Sequence, residues 1–240
     1  MDIKSPNLVK TVRLEGLRVV GPPHEYATRY DAQEIDEIIY LDIVASLYGR
    51  NNLHDLIKKT TENVFCPVTV GGGIRSVEDA RGLLEAGADK IAVNTEATKT
   101  PELITELAEK FGSQAVVLQI DAKKSNGSWR AWRDGGREPT ELDAVEWAIK
   151  AVSLGAGEIL VTSIDREGTG GGFDIDLIRE VSKSVTIPVV ASGGMGNPRH
   201  AVHAFQAGAW GVASAGVLHR GGDIQTIKSE IASFGISMRL

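Results

Sequence analysis

The sequence contains a single cysteine, Cys66, so an intrachain disulfide is excluded and packing has to hold the fold. Cys66 precedes Pro67 at the start of an apolar run, a place for a small packing residue rather than a nucleophile. Aromatic residues are only 5% of the chain, basic residues form no run, and the formal net charge is -6. Nothing therefore marks a nucleic-acid or membrane surface, and an anionic ligand would need a local site. Long apolar runs are missing too. With neither a signal peptide nor a membrane-length segment in view, a cytoplasmic location is expected. His200 and His203 stand three apart with no third ligand type nearby, so no metal site is expected.

Glycine, by contrast, is abundant, with 27 residues placed singly or in short clusters at the ends of apolar runs. That placement suits tight turns between strands and helices rather than disorder. Residues 68–95, VTVGGGIRSVEDARGLLEAGADKIAVNT, read as strand, glycine turn, amphipathic helix and second strand. Residues 189–216 repeat that order. Placing Gly72-Gly73 on Gly193-Gly194 also places Gly87 on Gly208 without a gap, which indicates an internal duplication.

Along the chain, helices are expected at 24–34, 53–64, 103–111, 142–154, 176–184, 201–207 and 224–232. Apolar strands are expected at 37–43, 115–120, 158–163, 189–191 and 211–215, besides the two in the first glycine unit. Continuous apolar strands joined by helices imply a parallel sheet covered on both faces. Seven such strands in one domain spanning residues 1–240 predict an α/β fold, a (β/α)8 TIM barrel with a half-barrel repeat. The first strand is the difficulty, because only residues 1–4 precede the turn at Ser5-Pro6-Asn7. The expectation is a truncated strand 1 and a poorly sealed seam; a well-ordered strand from these residues alone would count against it.

In such a barrel the loops after the strands build the active site. Gly73 with Asn94 and Thr95 would form one cradle of backbone N–H groups, and Gly194 with Ala215 and Gly216 a second. For either cluster alone, glycines that merely close turns are an equal reading; matching places in two halves favour a substrate with a phosphate at each end. Asp2-Ile3-Lys4 and Asp121-Ala122-Lys123 end strands that face one another, so two carboxylates would stand between the cradles as proton donor and acceptor. Asp42 and Asp165 point toward the same rim as supporting residues. Asn126-Gly127 signals a hairpin that could fold over the mouth, and Lys228 and Glu230 read as solvated charge on the last helix.

VTVGGGIRS, GADKIAVNT, FGSQAVV, GAGEILVTSIDREGT and IPVVASGGMG together resemble the histidine biosynthesis barrel family, in particular the cyclases of imidazole glycerol phosphate synthase. That resemblance covers essentially the whole chain. It implies a cofactor-free enzyme that uses ammonia to convert a bisphosphorylated ribulosyl aminoimidazole carboxamide ribonucleotide. Imidazole glycerol phosphate and aminoimidazole carboxamide ribotide are the implied products. The family's catalytic aspartates fall on Asp2, as base, and Asp121, as acid. Its phosphate contacts fall on Gly73, Asn94, Thr95, Gly194, Ala215 and Gly216. The lysine of its flexible first loop falls on Lys10, and its polar rim on Thr162, Ser163, Asp165 and Ser192. A glutaminase subunit docked on the opposite face is implied as the source of ammonia, through a charged ring that falls on Glu37, Lys90 and Glu158. The ring's remaining member, an arginine, would lie upstream of Met1.

The sequence departs from that pattern at the mouth. The first loop reads DIKSPNLVKTVRLEG, Glu167 stands where aspartate is preferred, and Gly216 replaces a serine. A paralogous group that adds nitrogen to surface-polysaccharide sugars with its own glutaminase partner has a similar first loop, and it is the main alternative. A non-catalytic barrel that activates its glutaminase, and an ammonia-independent isomerase of the same barrel family, are the others.

Overall fold

The computed structural model describes residues 1–45 and 53–239. Its strands are β1 (Asp2–Lys4), β2 (Asn7–Val12), β3 (Glu15–Gly21), β4 (Ile38–Asp42), β5 (Val68–Gly71) and β6 (Lys90–Val93), followed by β7 (Val116–Ser125), β8 (Ser128–Arg133), β9 (Glu138–Asp143), β10 (Glu158–Ser163), β11 (Val189–Ser192) and β12 (Gly211–Ala213). The helices are α1 (Pro23–Asp31), α2 (His54–Thr61), α3 (Val77–Glu85), α4 (Thr95–Lys99), α5 (Glu102–Phe111), α6 (Ala144–Ser153), α7 (Ile175–Ser184), α8 (Pro198–Gln206), α9 (Gly216–His219) and α10 (Ile224–Ser233).

The parallel order β1-β4-β5-β6-β7-β10-β11-β12 supplies the staves of a (β/α)8 barrel, with the outer helices returning the chain between them. Small or branched residues fill its inside, where Ala92, Val117 and Leu160 pack with Ile39, Leu41, Val190 and Ala213. A larger apolar layer lies between staves and helices and includes Tyr40, Ile91, Leu118 and Trp147. Helix starts follow local chemistry. Ser76 accepts a hydrogen bond from Asp79 N at 3.1 Å, and Asn197, at the matching place of the second unit, accepts one from His200 N at 3.3 Å.

The duplication is written in the backbone as well. Gly72 and Gly193 adopt φ of 104° and 91°, and Gly87 and Gly208 adopt 111° and 107°. A Cβ at Gly87 would lie 2.8 Å from Thr61 of α2, and one at Gly208 would lie 3.0 Å from Ser182 of α7. Each glycine thus lets the chain turn into its strand close against the neighbouring outer helix, α2 or α7.

Strand β1 forms from Asp2–Lys4 and pairs in parallel with β4, with Leu41 N donating to Met1 O at 3.0 Å and Ile43 N to Ile3 O at 3.1 Å. Ile3 is fully buried. Residues 2–4 therefore do make a stave, though one of three residues; among the described residues no ladder joins it to β12, and Tyr30, Leu218 and Ile224 pack over that seam. After β1 the chain does not form an irregular loop. It makes the antiparallel hairpin β2–β3, which the sequence did not announce because Arg13 and Leu14, neither a habitual turn residue, take positive φ at its tip. Strand β7 runs on past Asp121 to Ser125, because Asp121–Ser125 ladder with β8 around a turn where Asn126 and Gly127 have φ of 51° and 86°. Lys228 is not solvated charge: it is 4% exposed and donates to Glu34 O and to Asp36, about 190 residues away in sequence.

Candidate active site

Strand direction places the ends of β1, β4, β5, β6, β7, β10, β11 and β12 around one mouth. A cavity of about 700 Å³ opens there and runs down between the staves. Asp2, Lys10, Gly73, Asn94, Thr95, Asp121, Thr162, Ser192, Gly194, Ala215 and Gly216 all line it. Asp42 lines it too, and its carboxylate accepts from Val44 N at 3.0 Å, which fixes the turn after β4. Ser163 and Asp165 are not brought to the cavity. Ser163 turns toward Asp174, which also accepts from Trp129 Nε1 at 2.9 Å, and Asp165 accepts from Lys124 N at 2.9 Å. Both therefore support the β7–β8 hairpin rather than the mouth.

Asp121 is held on both oxygens. Asn94 Nδ2 donates to Oδ2 at 3.0 Å and Gln119 Nε2 to Oδ1 at 3.1 Å. Burial nevertheless pushes its pKa up to about 6; the two donors pull it down, whereas the negative charges of Asp2 and Glu167 push the same way as burial. The Asp2 carboxyl is also raised, first by burial and then by Glu167, against the positive charges near it, including Lys10. Two raised acids, one of them held up further by the charge of the other, suit an arrangement in which one carries a proton while the other accepts one.

The turns beside the pair approach the staves closely. A Cβ on Gly72 would lie 2.3 Å from Asp42 O, and one on Gly194 would lie 2.2 Å from Gly172 O. Close packing thus accounts for part of the glycine pattern, and the same conformation leaves the mouth lined by backbone. Arg220 was missed in the sequence because nothing in its neighbourhood forms a motif. It lines the cavity next to α9, and a Cβ on Gly216 would lie 3.3 Å from its Nη1. Helix α9 is moored by His219, whose Nδ1 lies 2.6 Å from the Tyr30 hydroxyl; burial, helped by surrounding positive charge, takes that imidazole down to about 3.

The β8–β9 turn reaches the rim, where Asp134 N donates to Thr95 Oγ1 at 3.0 Å and Gly135 lines the cavity, whereas Asn126 and Gly127 of the β7–β8 turn do not line it. At the other end of the barrel, Lys90 Nζ donates to Glu37 Oε2 at 2.7 Å and to Glu158 Oε2 at 2.8 Å. Burial works against the lysine's charge, but the two carboxylates outweigh it and raise its pKa. These three residues border the same cavity as Asp2 and Asp121. Glu158 Oε1 is buried there with no hydrogen-bond partner among the described residues.

A half-buried Asp2 and a buried Asp121 between glycine turns, at the C-terminal mouth of parallel staves, define an α/β barrel with a candidate site on its rim. The model for the family described as histidine biosynthesis protein matches residues 1–223, and the chain belongs to that family. Among similar proteins is an imidazole glycerol phosphate synthase subunit HisF from Legionella pneumophila, 62% identical over 197 residues, covering 82% of this chain and 93% of that protein. Proteins of the same name from Myxococcus xanthus and Bacillus cereus are 47% and 46% identical, each over 100% of this chain and 95% and 96% of their own length.

Proposed function

We propose that this chain is the ammonia-using cyclase of imidazole glycerol phosphate synthase. Its substrate is then the bisphosphorylated ribulosyl aminoimidazole carboxamide ribonucleotide, and its products are imidazole glycerol phosphate and aminoimidazole carboxamide ribotide. One observation carries this reading: Asp2 and Asp121 border the same cavity between the two duplicated glycine turns, close enough for Asp2 to act on the Asp121 pKa. The backbone at Gly73 and Asn94–Thr95 holds one terminal phosphate, and that at Gly194 and Ala215–Gly216 holds the other, with Lys10 and Arg220 beside the second.

Ammonia condenses with the substrate ketone, releasing water and forming an imine. Asp121, kept able to hold a proton near neutral pH, acts as the acid, and Asp2 acts as the base in the elimination and ring closure that follow. The β2–β3 hairpin excludes water while the imine exists. Beyond the wording of the first loop, nothing among the described residues favours the sugar-amidating alternative.

The ammonia source is a glutaminase subunit docked at the N-terminal ends of the staves. Support comes from the Glu37-Lys90-Glu158 cluster at that end of the cavity, and from Phe65 and Trp210, 87% and 78% exposed just before β5 and β12. With ammonium salt and the bisphosphate, the purified chain should form imidazole glycerol phosphate; a folded chain giving no product would reject the reading.

A further inference from the structure

Glu167 sits in the loop after β10 and is 7% exposed, yet it serves four groups from a distant part of the chain. One carboxylate oxygen accepts from Thr11 Oγ1 at 3.1 Å and from Leu14 N at 3.3 Å, while its backbone carbonyl accepts from Arg13 N at 3.0 Å. These contacts clasp the β2–β3 hairpin over the mouth. The neighbouring Gly168 is pressed so closely against the hairpin that a Cβ there would lie 2.5 Å from Thr11 O. The other carboxylate oxygen of Glu167 is paired with Lys10 Nζ.

Lys10 is thus occupied, but its stem lies elsewhere. A Cβ on Gly216 would stand 3.8 Å from Lys10 Cε, so the lysine passes beside the Ala215–Gly216 turn before its ammonium reaches Glu167. A rotation about the end of this flexible side chain would carry the ammonium from the carboxylate to an anion on that turn. We propose that Glu167 is a positioning residue that holds Lys10 beside the Ala215–Gly216 turn and yields it to the substrate phosphate, keeping the hairpin clasped through its second oxygen. This rests on the reading that the Ala215–Gly216 turn grips a phosphate. The exchange also changes the field at the reaction centre. Once Lys10 turns to the phosphate, Glu167 faces Asp2 and Asp121 as an unpaired carboxylate, which favours retention of the proton that the acid must deliver.

The test is a double-mutant cycle on inorganic phosphate binding, measured by calorimetry with the full chain, Glu167→Gln, Lys10→Met and the pair, with melting curves as the control for folding. Glu167→Gln should bind phosphate about five- to tenfold more tightly, because the ammonium no longer has to leave a carboxylate. In the Lys10→Met background the same change should alter affinity by less than about twofold. Glu167→Asp, which keeps the charge on a shorter arm, should bind like the parent and so guards against a merely structural effect of glutamine. Equal tightening with and without Lys10 would assign the effect to the general field and overturn the proposal, as would weaker or unchanged binding in a folded Glu167→Gln protein. Phosphate binding without coupling defeats the hand-over alone. Absence of phosphate binding in all the proteins defeats the phosphate reading of the turn and the hand-over with it.

Discussion

At Asp121 the requirements of chemistry and of stability oppose each other. Its pKa is about 6 in the folded chain against an unfolded value near 3.8, so between those values the folded state holds a proton that the unfolded state has released. Stability contributed by this group is therefore present at low pH, declines as pH rises from about 4 to 6, and stays low above that. Asp121→Asn, which cannot ionise, should melt higher than the parent at pH 8, by about 2–4 °C for each kcal/mol recovered, with the gap closing toward pH 4. A melting difference that is the same at both pH values would show that the carboxyl is not strained in its ionised form. His219 runs the other way. Its imidazole is held near pKa 3, so stability should fall as pH drops below about 6.5, the unfolded value, and His219→Gln should flatten that acid limb.

At the scale of elements, the glycine turns and the first hairpin set the shape of the mouth. Gly194→Ala puts a methyl group 2.2 Å from Gly172 O at a φ of 108°, so it should destabilise the chain by about 2–4 kcal/mol in denaturant titration. Gly82, inside α3 where an added methyl group would meet only open space, should instead gain about 0.5–1 kcal/mol on substitution by alanine. The same contrast explains what could be read from sequence. Alternating apolar runs and glycine turns gave away seven staves and the duplicated unit, because each rests on a local pattern that repeats at a fixed offset. The β2–β3 hairpin stayed hidden behind Arg13 and Leu14 at its tip, and α4 and α9 are too short for a helical period to register. Ser163 and Asp165 were placed on the rim by the family resemblance, Asp165 by its strand end as well, whereas Asp174, Trp129 and the Lys124 amide draw them to the β7–β8 hairpin.

For the whole molecule, one cavity joins the Glu37-Lys90-Glu158 cluster at the stave starts to Asp2 and Asp121 at the stave ends. Under the proposed function, that continuity would let ammonia from a docked partner reach the far mouth without crossing solvent. Phe65→Ser combined with Trp210→Ser should weaken glutaminase binding by at least about tenfold in calorimetry while leaving turnover from ammonium salt unchanged. Loss of both activities would place those side chains in the fold rather than in an interface. Among the described residues no helix is long and apolar enough to cross a membrane. Long-range pairings such as Lys228 with Asp36, and Lys10 with Glu167, lay beyond sequence reading because their partners meet only once the barrel is formed.

On the proposed reading, two opposed carboxylates do the chemistry while the turns on either side do the binding. Affinity for the bisphosphate and turnover should therefore separate when Asp2→Asn and Asp121→Asn are compared with the parent, using calorimetry and ammonium-driven product formation. Substrate affinity should stay within about threefold of the parent, and turnover should fall by at least about 10² in each variant. Folded variants that lose binding and turnover together, or that keep turning over, would contradict it.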